Sequence, residues 1–176
     1  MLGPMNRANL MLTKRAATLV AALLGVLTAP ASARDSLGVF GTWGAFRDPG
    51  VPRCYAIALA EPSTMMREYQ PFAAIGTWPQ RATRNQLHLR LSRRVQPGMR
   101  IVLNISGQRL QLTGGGGDAW AADQRMDAAV IAAMRSATSM TVSARDTQGR
   151  GFSNTWRLTG AATAMDAATI GCARAR

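Results

Sequence analysis

The stretch Gln86-Leu87-His88-Leu89-Arg90-Leu91-Ser92 decides the fold class, because apolar and polar side chains alternate along it. Successive side chains of a β-strand point to opposite faces, so the three leucines would share one face and the histidine, arginine and serine the other. One buried face and one solvated face are typical of a strand in an antiparallel sheet. The stretch therefore predicts a half-buried strand.

Short segments of strand character, separated by turn residues, lie on both sides of this strand. The predicted strands are residues 39–46, 54–59, 72–79, 101–105, 109–112, 140–144 and 152–158. Pro97-Gly98 occupies the central positions that are favoured in a type II turn. Residues 106–108 form a compact link between two of the strands, as in a β-hairpin.

Two segments have the periodicity of helices instead. Between residues 123 and 135, apolar residues recur at steps of three and four, and Asp123 or Asp127 can cap the first turn. An alanine-rich segment, residues 161–170, predicts a second helix that ends just before Cys172. Many short strands with two short helices predict a mainly β protein, an antiparallel β-sandwich or barrel-like domain.

The first part of the chain has the three features of a secretory signal peptide. A basic start precedes an apolar run at residues 16–27, and Ala31-Ser32-Ala33 supplies the small residues of a cleavage site. The run is shorter than the roughly 20 residues that span a bilayer, although an uncleaved anchor is the alternative. We therefore expect residues 1–33 to be a signal peptide and residues 34–176 to be a single β-rich domain in the periplasm or outside the cell.

The two cysteines, Cys54 and Cys172, lie near the two ends of the expected domain. An even number of cysteines in an exported chain favours a disulfide over free thiols. A structural zinc site is the alternative, but two cysteines and one histidine are too few ligands for it. The sequence therefore predicts a disulfide between Cys54 and Cys172, and no metal.

The chain is strongly basic, with 21 lysine and arginine residues against nine acidic ones and a formal net charge of +12. Such a charge attracts polyanions such as nucleic acid, lipopolysaccharide or sulfated glycans, in a salt-dependent way. Several arginines cluster near Trp78, either as an anion-binding stripe or as an ordinary solvated strand face. The candidate anion-binding residues are Arg81, Arg84, Arg90, Arg93 and Arg94.

The glycine run Gly114-Gly115-Gly116-Gly117 does not have the pattern of a nucleotide-binding loop. A P-loop places a lysine and a serine or threonine after its last glycine, whereas Asp118 follows here. We expect a flexible bend between sheet and helix, and no nucleotide or other cofactor. The tryptophans at positions 43, 120 and 156 are expected to pack in the core or its lid.

His88 is the one histidine of the chain and the obvious candidate for a catalytic base. It lies in mid-strand among leucines, and the chain has no nucleophile elbow of the Gly-x-Ser-x-Gly kind. A small hydrolase would need His88 beside a serine and a carboxylate. The sequence favours a solvent-facing strand histidine instead, and no catalytic residue is predicted.

Two stretches are similar to a known family. "FGTWGAF…CYAIA" at residues 40–58 and "GMRIVLNISGQRLQL" at residues 98–112, followed by the helix and strand pair of residues 126–168, resemble the invasion-associated locus B family of exported bacterial proteins. That family usually carries two cysteines between the hairpin and the helix, where residues 114–123 have none here. The resemblance implies an exported β-rich envelope protein without known catalytic residues.

These observations predict a non-enzymatic periplasmic or surface protein that acts by binding. Its partner would be an envelope or surface protein or a polyanion, and contact with the membrane would end when the signal peptide is cleaved. We expect a monomer. The alternatives are an arginine-rich binder of lipopolysaccharide, glycan or nucleic acid and, third, a small secreted hydrolase.

Overall fold

Within residues 34–173, which a computed structural model describes, nine strands form one antiparallel sheet. The predicted signal peptide, residues 1–33, lies outside the described residues. The strands are β1 (Asp35–Phe40), β2 (Trp43–Asp48), β3 (Arg53–Leu59), β4 (Phe72–Trp78), β5 (Thr83–Val95), β6 (Ile101–Ile105), β7 (Gln108–Trp120), β8 (Ser139–Arg145) and β9 (Gly151–Arg157). Their order across the sheet is β1-β2-β3-β4-β5-β7-β6-β8-β9. The prediction of a mainly β protein is confirmed.

Strand β7 belongs to both halves of the sheet. Its first part pairs with β6 from Gln108 to Leu112, and its last part pairs with β5 from Gly116 to Trp120. The glycine run lies at the change from one half to the other. Gly114 has φ +154°, and a Cβ there would lie 2.2 Å from the carbonyl oxygen of Asp118. The prediction of a flexible loop before a helix is therefore wrong, because the glycines let one continuous strand turn the corner between two layers.

Long-range hydrogen bonds hold the second half of the sheet over the first. The Trp43 indole Nε1–H donates to the carbonyl oxygen of Arg157 at 2.9 Å. The Glu61 N–H donates to the carbonyl oxygen of Thr155 at 2.8 Å, and the Ser92 N–H donates to Asn154 Oδ1 at 3.0 Å. These contacts join the β1–β5 half to β9, as between the layers of a β-sandwich.

The core lies between the layers and is closed by two helices. The leucines of β5 point into it and are fully buried, as their alternation predicts. Helix α1 (Gln124–Met134) packs on β5 and β6, and Asp123 Oδ1 caps it by accepting from the Met126 N–H at 2.8 Å. Helix α2 (Ala161–Ala173) packs its small side chains on β1, β2 and β3. None of the helices described is long and apolar enough to span a membrane.

The first predicted strand, residues 39–46, is in fact two strands. The chain reverses at Gly41-Thr42, so β1 and β2 pair as a hairpin, with Phe40 opposite Trp43. Gly41 has φ +59°, a conformation that favours glycine, and a Cβ there would lie 2.5 Å from the Thr159 carbonyl oxygen. Gly41 therefore marks a turn, although the aromatic residues near it have strand character and favour a single strand.

The predicted disulfide is confirmed. Cys54 on β3 and Cys172 on α2 are bonded, with their Cα atoms 5.7 Å apart. Helix α2 continues through Cys172 instead of ending before it, so the bond fastens the last turn of the helix to the sheet. The bridge spans a sequence separation of 118 residues. It therefore holds together segments that lie near the two ends of the described chain.

A candidate binding site on the outer face of the sheet

Aromatic side chains cover the outer face, which we define as the face of β2–β5 and β7 opposite helix α2. Residues that lie opposite each other on adjacent strands share a face, so strand pairing arranges this face in rows. The rows are Gly44, Ile57, Ala74, His88 and Trp120; Phe46, Tyr55, Gly76 and Gln86; and Phe72, Arg90 and Asp118. Small residues at Gly44, Ala74 and Gly76 thus lie next to larger, mostly aromatic side chains on this face.

Glycines of this face make room for aromatic rings. A Cβ at Gly76 would lie 2.6 Å from the Trp78 ring, and a Cβ at Gly44 would lie 2.7 Å from the Phe46 ring. In both pairs the glycine precedes the aromatic residue by two positions, so the two side chains share one face of the strand. Each ring therefore occupies the place that a side chain on the glycine would need.

A recess of about 300 Å³ opens in the middle of the outer face. Its floor is small and apolar, its walls are aromatic, and two arginines stand at its rim. The lining residues are Ile57, Ala74 and Gly76 on the floor, Tyr55, Phe72, Trp78 and His88 on the walls, and Arg34 and Arg53 at the rim. A concave apolar site with a few charged groups is the usual form of a small-molecule binding site.

The two rim arginines are held with different strength. The Arg53 guanidinium lies 4.8 Å from the centroid of the Tyr55 ring, and its Nη2 is 3.4 Å from Asp48 Oδ2. Arg34 reaches the same carboxylate only at 3.9 Å, and its side chain is 63% exposed. Arg34 is therefore free to approach a negatively charged group in the recess.

His88 lies on the outer face as predicted, but it is held in a cluster instead of standing free in solvent. Its ring stacks on Trp120 with centroids 5.2 Å apart and meets the Phe72 ring edge-on at 5.3 Å. Its Nε2 lies 2.9 Å from Asp118 Oδ1, and Arg90 Nη1 donates to the other oxygen of Asp118 at 2.6 Å. Among residues 34–173, no serine hydroxyl hydrogen-bonds to His88, so the arrangement provides the carboxylate of a catalytic triad without its nucleophile.

Trp120 departs from the prediction that it packs in the core or its lid. Trp43 and Trp156 are fully buried, whereas Trp120 is 37% exposed on the outer face. The pairing of Trp120 with His88 across β5 and β7 places it there. The glycine run, by turning β7, is what brings Trp120 and Asp118 alongside β5.

Two of the five candidate anion-binding arginines lie together on the outer face. The Arg90 guanidinium lies 4.0 Å from the centroid of the Tyr69 ring, and Arg94 Nη2 donates to the Tyr69 hydroxyl at 3.1 Å. Hydrogen bonding to Tyr69, together with the nearby Glu68 carboxylate, raises the pKa of Arg94. Tyr69 thus contacts both guanidinium groups, and Arg90 also pairs with Asp118.

Arg93 points inward instead. It is only 7% exposed, donates to the Met66 carbonyl oxygen at 2.8 Å and pairs with Asp146 at 3.2 Å. Burial would raise the pKa of Asp146, but hydrogen bonds from the backbone and guanidinium of Arg150 and from the Gln148 N–H lower it to about 2. Asp146 therefore stays ionised and balances the buried charge of Arg93.

Arg81 and Arg84 lie at the opposite end of β5 from Arg94. Arg81 ends a short 3₁₀ turn, and Arg84 faces helices α1 and α2. Asn85 has φ +52°, which interrupts the alternation of β5 and separates Arg84 from the outer face. The five arginines thus form no single stripe, and anion binding by any of them stays a prediction.

The excess positive charge lies mostly away from the recess. Several arginines have no carboxylate within 4.0 Å among residues 34–173, namely Arg67, Arg81, Arg84, Arg100, Arg109, Arg125 and Arg145. The two arginines that line the recess share the Asp48 carboxylate, by contrast, so the recess itself has only a small excess of positive charge.

The recess cannot be read from the sequence, because an aromatic residue of a strand does not reveal which face of the sheet it occupies. The pattern glycine-x-aromatic occurs in Gly44-Ala45-Phe46 and Gly76-Thr77-Trp78, but it also occurs in Gly41-Thr42-Trp43, whose ring is fully buried in the core. A glycine two positions before a large ring therefore does not show by itself on which face of the sheet the ring lies.

Comparison of the chain with protein-family models, with curated proteins and with solved structures found no match. The resemblance to the invasion-associated locus B family therefore stays a prediction. The geometry of the outer face is therefore the basis for inferring a function.

Proposed function

We propose that this protein is an exported, non-enzymatic binding protein that holds its ligand on the outer face of the sheet. The recess is the observation that supports this proposal, because aromatic walls and a charged rim suit the recognition of a ligand. The apolar side chains of the core are buried, whereas the apolar side chains that line the recess surround an open cavity. Binding without turnover accords with a histidine held between two rings and a carboxylate.

Export is supported by two independent features. The segment before residue 34 has the composition of a signal peptide, and the Cys54–Cys172 disulfide suits an oxidising compartment. The ligand would then be a component of the cell envelope or of the surroundings of the cell. An envelope role also fits the resemblance to the invasion-associated locus B family.

A second candidate function is the binding of polyanions by charge alone. The arginines without a carboxylate partner among residues 34–173 favour it, since they belong to several strands, a helix, a 3₁₀ turn and connecting segments and would attract any polyanion without a defined site. The two candidates differ in where substitutions matter. A defined site depends on the recess, whereas diffuse attraction depends only on the total charge.

Retention on immobilised heparin, with neutral dextran as the blank matrix, separates the two candidates. We compare Arg34→Gln/Arg53→Gln with Arg109→Gln/Arg145→Gln, since both double variants lose two positive charges. The proposal expects the rim variant to elute at lower salt than the control variant. Equal shifts for the two variants would assign binding to charge alone, and no retention of the unsubstituted protein would exclude both modes for this polymer.

A further inference from the structure

We infer that the recess between Tyr55 and Trp78 receives one acidic sugar unit, that is, a hydroxyl-rich ring with a single carboxylate. The inference rests on the proposed function and adds the chemical class of the ligand. Three properties of the recess support it: the nature of its walls, the position of its arginines, and the carboxylates just outside its rim.

The walls suit a ring with one apolar face. The C–H groups on one side of a sugar ring are apolar, and they pack well against an aromatic surface. Trp78 is held in place over Gly76, and Ala74 leaves the floor open beside it. A rigid aromatic wall next to a small side chain gives a ring-shaped ligand a fixed place at low entropic cost.

The rim suits one carboxylate. Arg34 and Arg53 both line the recess, and a guanidinium can donate two parallel hydrogen bonds to a carboxylate. Their shared partner Asp48 lies 3.9 Å from Arg34 and 3.4 Å from Arg53, so neither arginine is held by a short contact. Two cations against one carboxylate leave a local charge of about +1 to be balanced by the ligand.

Carboxylates near the recess distinguish a sugar from a nucleotide. Sugar hydroxyls both donate and accept hydrogen bonds, so Asp48 and Asp118 can serve as acceptors for them. A phosphate monoester carries about −1.5 to −2 charges near neutral pH, which is more than the local charge of about +1 at the rim can balance, so its excess charge would be repelled by these two carboxylates. Two aromatic rings also offer less surface for stacking a base, because His88 lies against Trp120 and Arg53 lies over Tyr55. The recess therefore favours an acidic sugar over nucleic acid.

Calorimetric titration of the purified, oxidised protein tests the inference with three probes. Digalacturonate carries carboxylates, galactobiose is its neutral counterpart, and adenosine monophosphate represents nucleic acid. We expect saturable binding of digalacturonate at least about tenfold tighter than that of galactobiose. Binding of adenosine monophosphate in preference to both sugars would overturn the inference and assign the recess to a nucleotide.

Variants locate the binding. Arg53→Gln is expected to reduce the preference for the acidic sugar, and Ala74→Leu, which fills the floor without changing any charge, is expected to abolish binding of both sugars. Arg109→Gln, remote from the recess, is the matched control for charge. Unchanged affinity in Ala74→Leu, with its thermal unfolding midpoint also unchanged, would contradict the inference.

A failure of the acidic-sugar inference can be distinguished from a failure of the proposed function. If none of the small probes binds but heparin retention still depends on Arg34 and Arg53, the outer face is a binding site and the acidic sugar is wrong. If heparin retention is also insensitive to these two residues, the proposed function fails as well.

Discussion

The Asp127 carboxylate of helix α1 accepts a hydrogen bond from the backbone N–H of Leu87 at 2.8 Å. Leu87 is the first buried leucine of β5, and this contact joins the helix to the strand that organises the core. The bond is located where a backbone N–H would otherwise be buried without a partner. The Asp127 carboxylate provides both a hydrogen-bond acceptor and a negative charge, and substitutions of Asp127 can remove the charge alone or both.

Burial raises the pKa of Asp127, and the hydrogen bond from Leu87 opposes that rise only in part. In the folded protein the carboxyl therefore holds its proton to a higher pH than in the unfolded chain. Stability must then fall as the pH rises from the unfolded value of about 3.9 through the raised folded value. Asp127→Asn keeps the acceptor without the charge, so we expect this part of the pH dependence to disappear and the stability at pH 7 to be equal or higher.

Asp127→Ala is the informative contrast. It leaves the Leu87 N–H without a partner, which typically costs about 1–3 kcal/mol. Urea unfolding of both variants across the acidic range measures the two effects. If Asp127→Asn is as destabilised at pH 7 as Asp127→Ala, the carboxylate charge itself stabilises the fold and the expectation is wrong.

Asp146 has the opposite pH dependence. Burial disfavours its charge, but hydrogen bonds from Arg150 and Gln148 prevail and lower its pKa to about 2. A carboxyl with a depressed pKa contributes stability that is present above the unfolded value of about 3.9 and is lost as the pH falls through 2. We expect acid unfolding to begin in this window and Asp146→Asn to remove that part of the transition.

The exposed pair Arg135–Asp166 provides the control for Asp146. Hydrogen bonding to Arg135 lowers the pKa of Asp166, but both side chains are about half exposed. Exposed pairs of this kind contribute less than about 1 kcal/mol, so Asp166→Asn is expected to leave the unfolding midpoint nearly unchanged. Circular dichroism between pH 1.5 and 5 compares the variants, and equal acid sensitivity of both would show that Asp146 has no special role.

The disulfide supports a further prediction. A bridge that closes a loop of more than 100 residues stabilises by about 4–5 kcal/mol in the chain-entropy model. Cys54→Ser/Cys172→Ser is therefore expected to lower the free energy of unfolding by an amount of this order. Dithiothreitol should lower the unfolding midpoint of the unsubstituted protein toward that of the variant and leave the variant unaffected. An unsubstituted protein insensitive to reductant, with its thiols shown to be free, would contradict this.

The alternation of Leu87, Leu89 and Leu91 predicted both the strand and its buried face, because side chains record the period of a strand directly. The glycine run carries no side chains, so its strand character was invisible. The sequence places Arg93 among exposed arginines, because its partner Asp146 belongs to a distant hairpin and no local pattern encodes that contact. The recess was hidden for a similar reason: Tyr55, Trp78 and His88 come from three strands, and only their pairing brings them together.

Gly76 has no side chain and so makes room for the ring of Trp78. Gly76→Ala would place a Cβ 2.6 Å from the indole ring, so the ring must move away from its position over the glycine. Overpacking of this kind commonly costs about 1–3 kcal/mol. Because Trp78 forms a wall of the recess, we also expect its fluorescence to change and ligand retention on the outer face to weaken.

Gly151→Ala is the matched control, because a Cβ at Gly151 meets no atom within 4 Å and its backbone is accessible to alanine. We expect Gly151→Ala to leave tryptophan fluorescence and heparin retention unchanged. Crystal structures or tryptophan emission spectra of the two variants provide the measurement. If Gly76→Ala retains both the emission maximum and the elution position of the unsubstituted protein, then the placement of Trp78 does not depend on Gly76, and the glycine–aromatic pair is not what shapes the recess.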